Sequence, residues 1–184
     1  MKLSNQLFRN YSELADIILH CYKDLVILDF YRTLQIGDKE KYCKSININN
    51  HFVVLLQKDL ALSLWKICFD NDPKANTVSK FRNNINKLLR EDGRAVDQVK
   101  KEVISQEVKN DIINMRKQFL AHTDMTRKNS RLEIKKLSEL LESIRAEFNN
   151  VCDAINDENV KRISDIELGK NEMSYTIEMV SIYR

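Results

Sequence analysis

The sequence predicts an all-α protein, an up-and-down helical bundle of four long helices and one short helix. The 184 residues include only three glycines and one proline, too few for the turns of a β-sandwich or barrel. Apolar residues recur at spacings of three and four along several stretches, which is the period of an amphipathic helix. With 43% hydrophobic and 31% charged residues, the composition is that of a globular chain.

The first predicted helix carries a long apolar stripe. Its members share the helical spacing: Leu7, Tyr11, Leu14, Ile18, Cys21, Leu25 and Leu28. Ser4 is a suitable N-cap, because its hydroxyl can accept a hydrogen bond from an amide of the first turn. Gly37 is a suitable end for this helix. The charged run that follows, GDKEKYCKS, is predicted to be a loop.

The second helix is predicted to begin near Asn50 and to include HFVVLLQKDLALSLWKICF. It is apolar on nearly every face, so we expect it to be the central and most buried helix. Trp65 would then belong to the core rather than form a platform on which bases stack. The helix should end at DNDP, because Pro73 disfavours helical backbone in the residue before it.

Three further segments complete the predicted bundle. Thr77 should cap a shorter helix, SKFRNNINKLL, which EDGR ends. A third long helix should end near His122, with its apolar residues at Val96, Val99, Val103, Ile112, Met115 and Phe119. The last helix has the most regular pattern: Ile134, Leu137, Leu141, Ile144, Phe148, Val151 and Ile155.

The apolar pattern fades after Asn156, which indicates a domain boundary. We expect residues 1–157 to form the bundle and residues 158–184 to be a C-terminal extension. The extension should pack on the bundle or on a partner chain. Its last residues, MSYTIEMVSIYR, fit a strand or a helix equally well.

Composition also bears on partners and location. The 30 basic and 27 acidic residues nearly balance, so any RNA contact would need a local basic patch. The four cysteines are widely spaced without a C-x-x-C motif, which favours buried free thiols in a reducing cytoplasm. MKLSNQLFRN lacks the apolar core of a signal peptide, and no stretch reaches the roughly 20 apolar residues of a membrane span. We therefore expect a cytoplasmic protein without a membrane partner.

The stretch MRKQFLAHTD places Arg116 six residues before His122. Arginine forms forked hydrogen bonds to phosphate oxygens, and histidine exchanges a proton near neutral pH. Phosphodiester chemistry without a metal needs these two groups. On one ideal helix, however, positions six apart differ by about 240° in direction and about 9 Å in height. Either the helix ends before His122, or two chains supply the pair jointly.

Neighbouring residues complete a candidate site, and each also has a structural explanation. Asp124 could orient His122 or start the turn. A basic group could follow a phosphate backbone or form a solvated face: Arg127, Lys128 and Arg131. His122 could cap the helix, and Arg116 could pair with Asp111 or Asp124.

Metal chemistry finds no support near the motif. No second histidine lies four residues from His122, and no acidic cluster accompanies it, so we expect neither a metal nor a cofactor. His20 and His51 lie beside apolar helical faces and are interpreted as packed or surface residues.

An arginine followed by a histidine near the junction of the last two core helices resembles the HEPN superfamily. The segment RKQFLAHTD is similar to the corresponding motif of the AbiU-type abortive-infection branch of this superfamily. The segment SLWKICFDNDPKANTVSKFRNNINKLL also resembles that branch, with a buried helix, an acidic turn and a short capped helix. The resemblance extends from Asn50 to Ile155.

The resemblance implies an all-α homodimer whose paired motifs line a cleft at the dimer interface. It implies a metal-independent endoribonuclease of phage defence or a toxin–antitoxin system, with Arg116 and His122 catalytic and Lys117 and Asp124 in support. Many HEPN domains are instead inactive interaction modules. Lys117 stands where active members often have Asn, Asp or His, and this favours the alternative, a module that regulates or scaffolds an antitoxin or effector. Both functions remain open from the sequence.

Overall fold

A computed structural model of the chain describes residues 2–93, 106–120 and 133–164. These residues form an all-α bundle, as the sequence predicts, and they contain no strand. Six helices follow one another: α1 (Asn5–Gly37), α2 (Lys39–Lys44), α3 (Ile46–Phe69), α4 (Val78–Glu91), α5 (Gln106–Leu120) and α6 (Ile134–Ile155). Of the apolar residues predicted for the third long helix, Val96, Val99 and Val103 lie outside the described residues.

Helix α1 has the predicted ends and packs along the whole bundle. The hydroxyl of Ser4 accepts a hydrogen bond of 3.4 Å from the amide of Leu7, and Gly37 is the last helical residue. The stripe centred on Leu14, Ile18 and Cys21 is fully buried. It faces α3, α4 and α6, so α1 forms one long wall of the core.

The segment predicted as a charged loop is a short helix, α2. The carboxylate of Asp38 caps it by accepting a hydrogen bond from the amide of Lys41, at 3.4 Å. Tyr42 is buried and donates a hydrogen bond of 2.6 Å to Asn50, while Asn49 donates one to the carbonyl of Tyr42. The cap at Asp38 and the buried, hydrogen-bonded Tyr42 thus stabilise a helix in a segment whose other residues are mostly charged. These contacts also explain why α3 begins at Ile46 rather than near Asn50.

The prediction that α3 is the most buried helix is wrong for its first half. Its second half supplies Leu60, Ala61, Leu64 and Ile67 to the core. Its first half exposes a set of large apolar side chains: Ile46, Ile48, Phe52, Val54 and Leu55.

The position of α6 explains this exposure. The hydroxyl of Tyr22 on α1 donates a hydrogen bond to Glu142, eight residues after α6 begins at Ile134. Since α1 and α6 run antiparallel, α6 reaches along α1 only to about Phe30. Phe52 of α3 stacks on Tyr31, just beyond that level. The first turns of α3 therefore project past the end of α6.

Helices α4 and α6 close the other side of the core. Thr77 caps α4, as predicted, by accepting a hydrogen bond of 3.2 Å from the amide of Lys80. Phe148 lies on α6 and stacks with Phe81 of α4 at a centroid distance of 6.4 Å. Helix α6 has the predicted bounds, and Asn156 ends it in the left-handed conformation with a φ of 50°.

The first residues after α6 pack on the bundle. Val160 and Ile163 are buried against the core, and Asn149 exchanges two hydrogen bonds with the backbone of Ile163. The hydroxyl of Tyr11 donates to the carbonyl of Lys161 and accepts from its amide. Residues 165–184, including MSYTIEMVSIYR, lie outside the described residues.

The four cysteines are free thiols. Cys21 and Cys152 are buried as expected and Cys68 is partly buried, whereas Cys43 on α2 is exposed, contrary to the expectation. Along the described ranges, no helix combines the length and the hydropathy that crossing a bilayer requires.

Candidate functional site

Arg116 lies on the face of α5 that packs against α3. Its guanidinium carbon is 3.7 Å from the centroid of the Trp65 ring, a close cation–π contact. Ile112 and Met115 of α5 are buried, and Arg116 flanks this apolar stripe. Because its aliphatic stem can lie along the seam between α5 and α3, the charged group is held over the indole rather than extended into water.

A second cation lies on the same face of α5. The Nζ atom of Lys109 is 5.7 Å from the centroid of the Phe69 ring. Lys109 and Arg116 are seven residues apart on α5, and Phe69 and Trp65 are four apart on α3 in the reverse order, so the two helices are antiparallel. We call these four residues the cationic seam.

The stacked guanidinium of Arg116 forms no ion pair with a carboxylate within residues 2–93, 106–117 and 133–164. Of the two partners that the sequence allowed, Asp111 does not pair with it, and Asp124 lies outside the described residues. Arg82, by contrast, is buried and paired with Glu147. A guanidinium stacked on one face can still donate two parallel hydrogen bonds in its own plane, the geometry that binds a phosphate or a carboxylate.

Trp65 is only partly a core residue. It packs against the core cluster as a half-buried side chain, and Arg116 covers one face of its ring. The prediction that Trp65 is a core residue is therefore confirmed only in part. The sequence contained no signal for the Arg116 contact, because the two residues are 51 positions apart.

The remaining predicted site residues are placed as follows. Lys117 follows Arg116 on α5 and is exposed. The others lie outside the described residues: His122, Asp124, Arg127, Lys128 and Arg131. The structure therefore locates one half of the predicted catalytic pair, one turn before the end of α5 and beside its contact with α3.

A second polar cluster joins α1 and α3. His20 Nε2 is 2.7 Å from Asp59 Oδ2 and 3.8 Å from Asp24 Oδ2, and the three ligand-type atoms lie within 4.8 Å of one another. His20 is half-exposed at the surface. The sequence allowed either a packed or a surface residue at this position. The sequence shows that His20 and Asp24 share a helical face, being four residues apart. Asp59 is distant in sequence and is added only by the fold.

Asp24 has an unusual environment in this cluster. It is 3% exposed, and among the described residues no N–H or hydroxyl group donates a hydrogen bond to its Oδ2 atom. Burial raises the pKa of Asp24 to about 6; the nearby His20 lowers this pKa, and the negative charge of Asp59 together with a hydrogen bond between the two carboxyl groups raises it. The neutral form of this carboxyl is therefore favoured more than at the surface.

The same chain was compared with protein-family models, with curated proteins and with solved structures, and none of the three comparisons found a match. The HEPN resemblance therefore depends on the residues of the chain alone.

Proposed function

We propose that the chain is a metal-independent endoribonuclease of HEPN type, acting in phage defence or in a toxin–antitoxin system. One observation carries the proposal: the guanidinium of Arg116 is fixed over Trp65 with its donor edges unpaired among the described residues. An arginine in this state is charged, oriented and partly desolvated, so a phosphate that meets it gains strong hydrogen bonds with little reorganisation.

Lys109 supports the same function. It adds a second positive charge on the same face of α5, about 10 Å along the helix axis from Arg116. A nearly neutral chain needs such a local patch to bind RNA, since positive charges close to phosphates release condensed counterions. The cationic seam supplies that patch.

The proposed reaction requires two groups beside Arg116. The 2′-hydroxyl of a ribose attacks the adjacent phosphorus, the bond to the 5′-oxygen breaks, and the products carry a 2′,3′-cyclic phosphate and a 5′-hydroxyl. Arg116 binds the non-bridging oxygens, whose negative charge grows in the transition state. His122 transfers a proton, and the same motif of a second copy supplies the complementary acid or base. The enzyme is therefore proposed to act as a homodimer.

The test incubates purified protein with labelled RNA in EDTA. Wild type should give cyclic-phosphate ends and should leave DNA intact, because DNA lacks the 2′-hydroxyl. His122→Ala should lower the rate by roughly 10²–10⁴. Arg116→Lys should also cleave RNA much more slowly, because the single ammonium group of lysine cannot replace the two parallel hydrogen bonds of the guanidinium. The control Arg90→Lys, at an exposed position of α4, should cleave at the wild-type rate. Cleavage that requires Mg²⁺, or that persists in His122→Ala, contradicts the proposal.

A catalytically inactive module is the second candidate, and the exposed first half of α3 favours it. Ile48, Phe52 and Leu55 are spaced by four and three residues and form one exposed apolar stripe. Such a stripe suits the binding of a partner protein, for example an antitoxin or an effector. A photo-crosslinking residue at position 52 should then give one discrete adduct in cells, and the same residue at Asn84 on α4 should give none. Absence of an adduct at position 52, together with RNA cleavage, would favour the enzyme.

A further inference from the structure

His20, Asp24 and Asp59 bring one imidazole nitrogen and two carboxylate oxygens together where α1 meets α3. Nitrogen and oxygen donors of this kind are the protein ligands of divalent transition-metal ions. We propose that these three residues bind one such ion, with Zn²⁺ as its representative, and that the bound ion joins α1 to α3.

The buried oxygen of Asp24 is the observation that distinguishes this cluster from a chance group of surface charges. Buried side-chain oxygens in folded proteins nearly always have a hydrogen-bond partner. In the part of the chain that the structure describes, no N–H or hydroxyl group donates to Asp24 Oδ2, although the residue is 97% buried, and the atom lies 3.8 Å from His20 Nε2 inside the cluster. Its hydrogen-bonding neighbour in that part of the chain is the Asp59 carboxyl, and this contact needs a proton between the two groups, which a bound cation would replace. A cation between these atoms would satisfy the oxygen and would offset the two neighbouring carboxylate charges.

The distances suit a tetrahedral ion after small side-chain movements. Bonds of roughly 2.0–2.2 Å at tetrahedral angles place ligand atoms about 3.4 Å apart. The observed separations, 2.7 Å for His20–Asp59 and 3.8 Å for His20–Asp24, lie on either side of this value. The side chains of His20 and Asp59 are each about half exposed, 47% and 54%, so they can adjust while Asp24 stays in place.

Binding changes the state of His20 in a simple way. Its Nε2 atom now shares a proton with Asp59 Oδ2 in a hydrogen bond. As a metal ligand, Nε2 gives up that hydrogen bond and binds through its lone pair; in the neutral ring the proton moves from Nε2 through solvent to Nδ1, so the imidazole still holds one proton. Three protein ligands leave one position for water.

The donor set also predicts which ions are excluded. Mg²⁺ and Ca²⁺ prefer six or more oxygen ligands, and this cluster offers two carboxylates and a nitrogen. We therefore expect Zn²⁺ and Co²⁺ to bind much more tightly than Mg²⁺.

The proposed ion is separate from the cationic seam. Asp59 and Trp65 are six residues apart on α3, so they point in directions about 120° apart. Metal binding consequently leaves the proposed ribonuclease independent of metal, and each of the two proposals can fail without the other.

The test titrates the full chain with Zn²⁺ by calorimetry, in a Cys43→Ser background because Cys43 is an exposed thiol that could itself bind the ion. We expect one ion per chain, a higher melting temperature with Zn²⁺, and the visible spectrum of a tetrahedral site with Co²⁺. Losing even an outer-shell partner of a metal site typically weakens binding by 10–100-fold, so Asp59→Asn and His20→Ala should each weaken it by at least about 100-fold.

Two variants serve as controls on the same helices. Asp16→Asn makes the same charge change at an exposed position of α1, and His51→Ala removes an exposed histidine of α3. Both should bind Zn²⁺ as the unmodified chain does, and circular dichroism should show that every variant is folded. The proposal is overturned if the Cys43→Ser protein, with His20, Asp24 and Asp59 intact, binds no Zn²⁺. It is also overturned if adding Asp59→Asn leaves the affinity for Zn²⁺ unchanged, or if Mg²⁺ binds as tightly as Zn²⁺.

Discussion

Arg82 Nη1 donates a hydrogen bond of 2.8 Å to Glu147 Oε1 inside the bundle, where α4 meets α6. Both side chains are about nine-tenths buried. The pair therefore belongs to the fold, in contrast to Arg116, whose donors have no carboxylate partner in the described part of the chain. Two arginines of one protein thus have different surroundings: Arg82 is paired with a carboxylate inside the bundle, and Arg116 is stacked on an indole at the edge of α5.

Replacing Arg82 with Met should destabilise the protein by about 3–5 kcal/mol, because it leaves the carboxylate of Glu147 buried without its cation. Urea denaturation followed by circular dichroism measures the change in the free energy of unfolding. The double variant Arg82→Met/Glu147→Leu removes both charges and should recover most of the loss. A single variant with wild-type stability would show that the pair does not stabilise the bundle.

Trp65 should report the binding of RNA to Arg116. It is the only tryptophan of the chain, and the guanidinium lies 3.7 Å from its ring centroid. A 2′-O-methylated RNA cannot be cleaved, so its binding can be followed by tryptophan emission at equilibrium. Emission should change on titration with this RNA in wild type and in Arg90→Lys, and should stay constant in Arg116→Ala. An equal change in Arg116→Ala would place the RNA elsewhere.

Phe148 should be one of the most sensitive core positions. Its side chain is fully buried and stacks with Tyr11 at 5.6 Å and with Phe81 at 6.4 Å. Phe148→Ala should lower the free energy of unfolding by about 3–5 kcal/mol, through lost burial and the cavity that remains. Ile36→Ala at an exposed position of α1 should change it by less than about 0.5 kcal/mol. Equal effects at the two positions would contradict the packing described above.

Glu13 should make part of the stability depend on acidic pH. Hydrogen bonds from Lys66 and Asn76 lower the pKa of Glu13 in the folded chain below its ordinary value. Its contribution is thus complete above the pKa of the unfolded chain, about 4.3, and is lost as the pH falls through the lower folded value. Because Glu13 is partly exposed, this contribution should not exceed about 1 kcal/mol.

Denaturation of wild type and Glu13→Gln at several pH values measures this contribution. The difference in stability between the two should be constant above pH 5 and should shrink as the pH is lowered toward 3. A difference that grows on acidification would contradict the direction of the pKa shift.

The sequence predicted those elements whose causes are local. The caps at Ser4 and Thr77 and the apolar period from Ile134 to Ile155 depend on residues within a few turns of one another, and the structure confirms them. Helix α2 was missed because its stability comes from one buried aromatic residue, Tyr42, and its contacts with α3. The charged residues around Tyr42 made the segment look like a solvent-exposed loop.

The features that sequence reasoning missed depend on which helices become neighbours. The apolar composition of α3 was visible, but the exposure of Phe52 follows from how far α6 extends beside α1. Arg116 was identified as a candidate, whereas its contact with Trp65 required the antiparallel packing of α5 on α3. Asp59 joined His20 and Asp24 for the same reason, across 39 residues of chain.

The two hydrogen bonds between the Tyr11 hydroxyl and the backbone of Lys161 link positions 150 residues apart. During synthesis, α1 leaves the ribosome long before Lys161 is added to the chain. The hydroxyl group of this early helix therefore lacks these two partners until nearly all of the described bundle has been made. Contacts between such distant positions slow folding, because closing the long loop of chain between them costs conformational entropy before the contacts form. The two hydrogen bonds of the Tyr11 hydroxyl are thus among the last contacts of the described bundle that can form during synthesis.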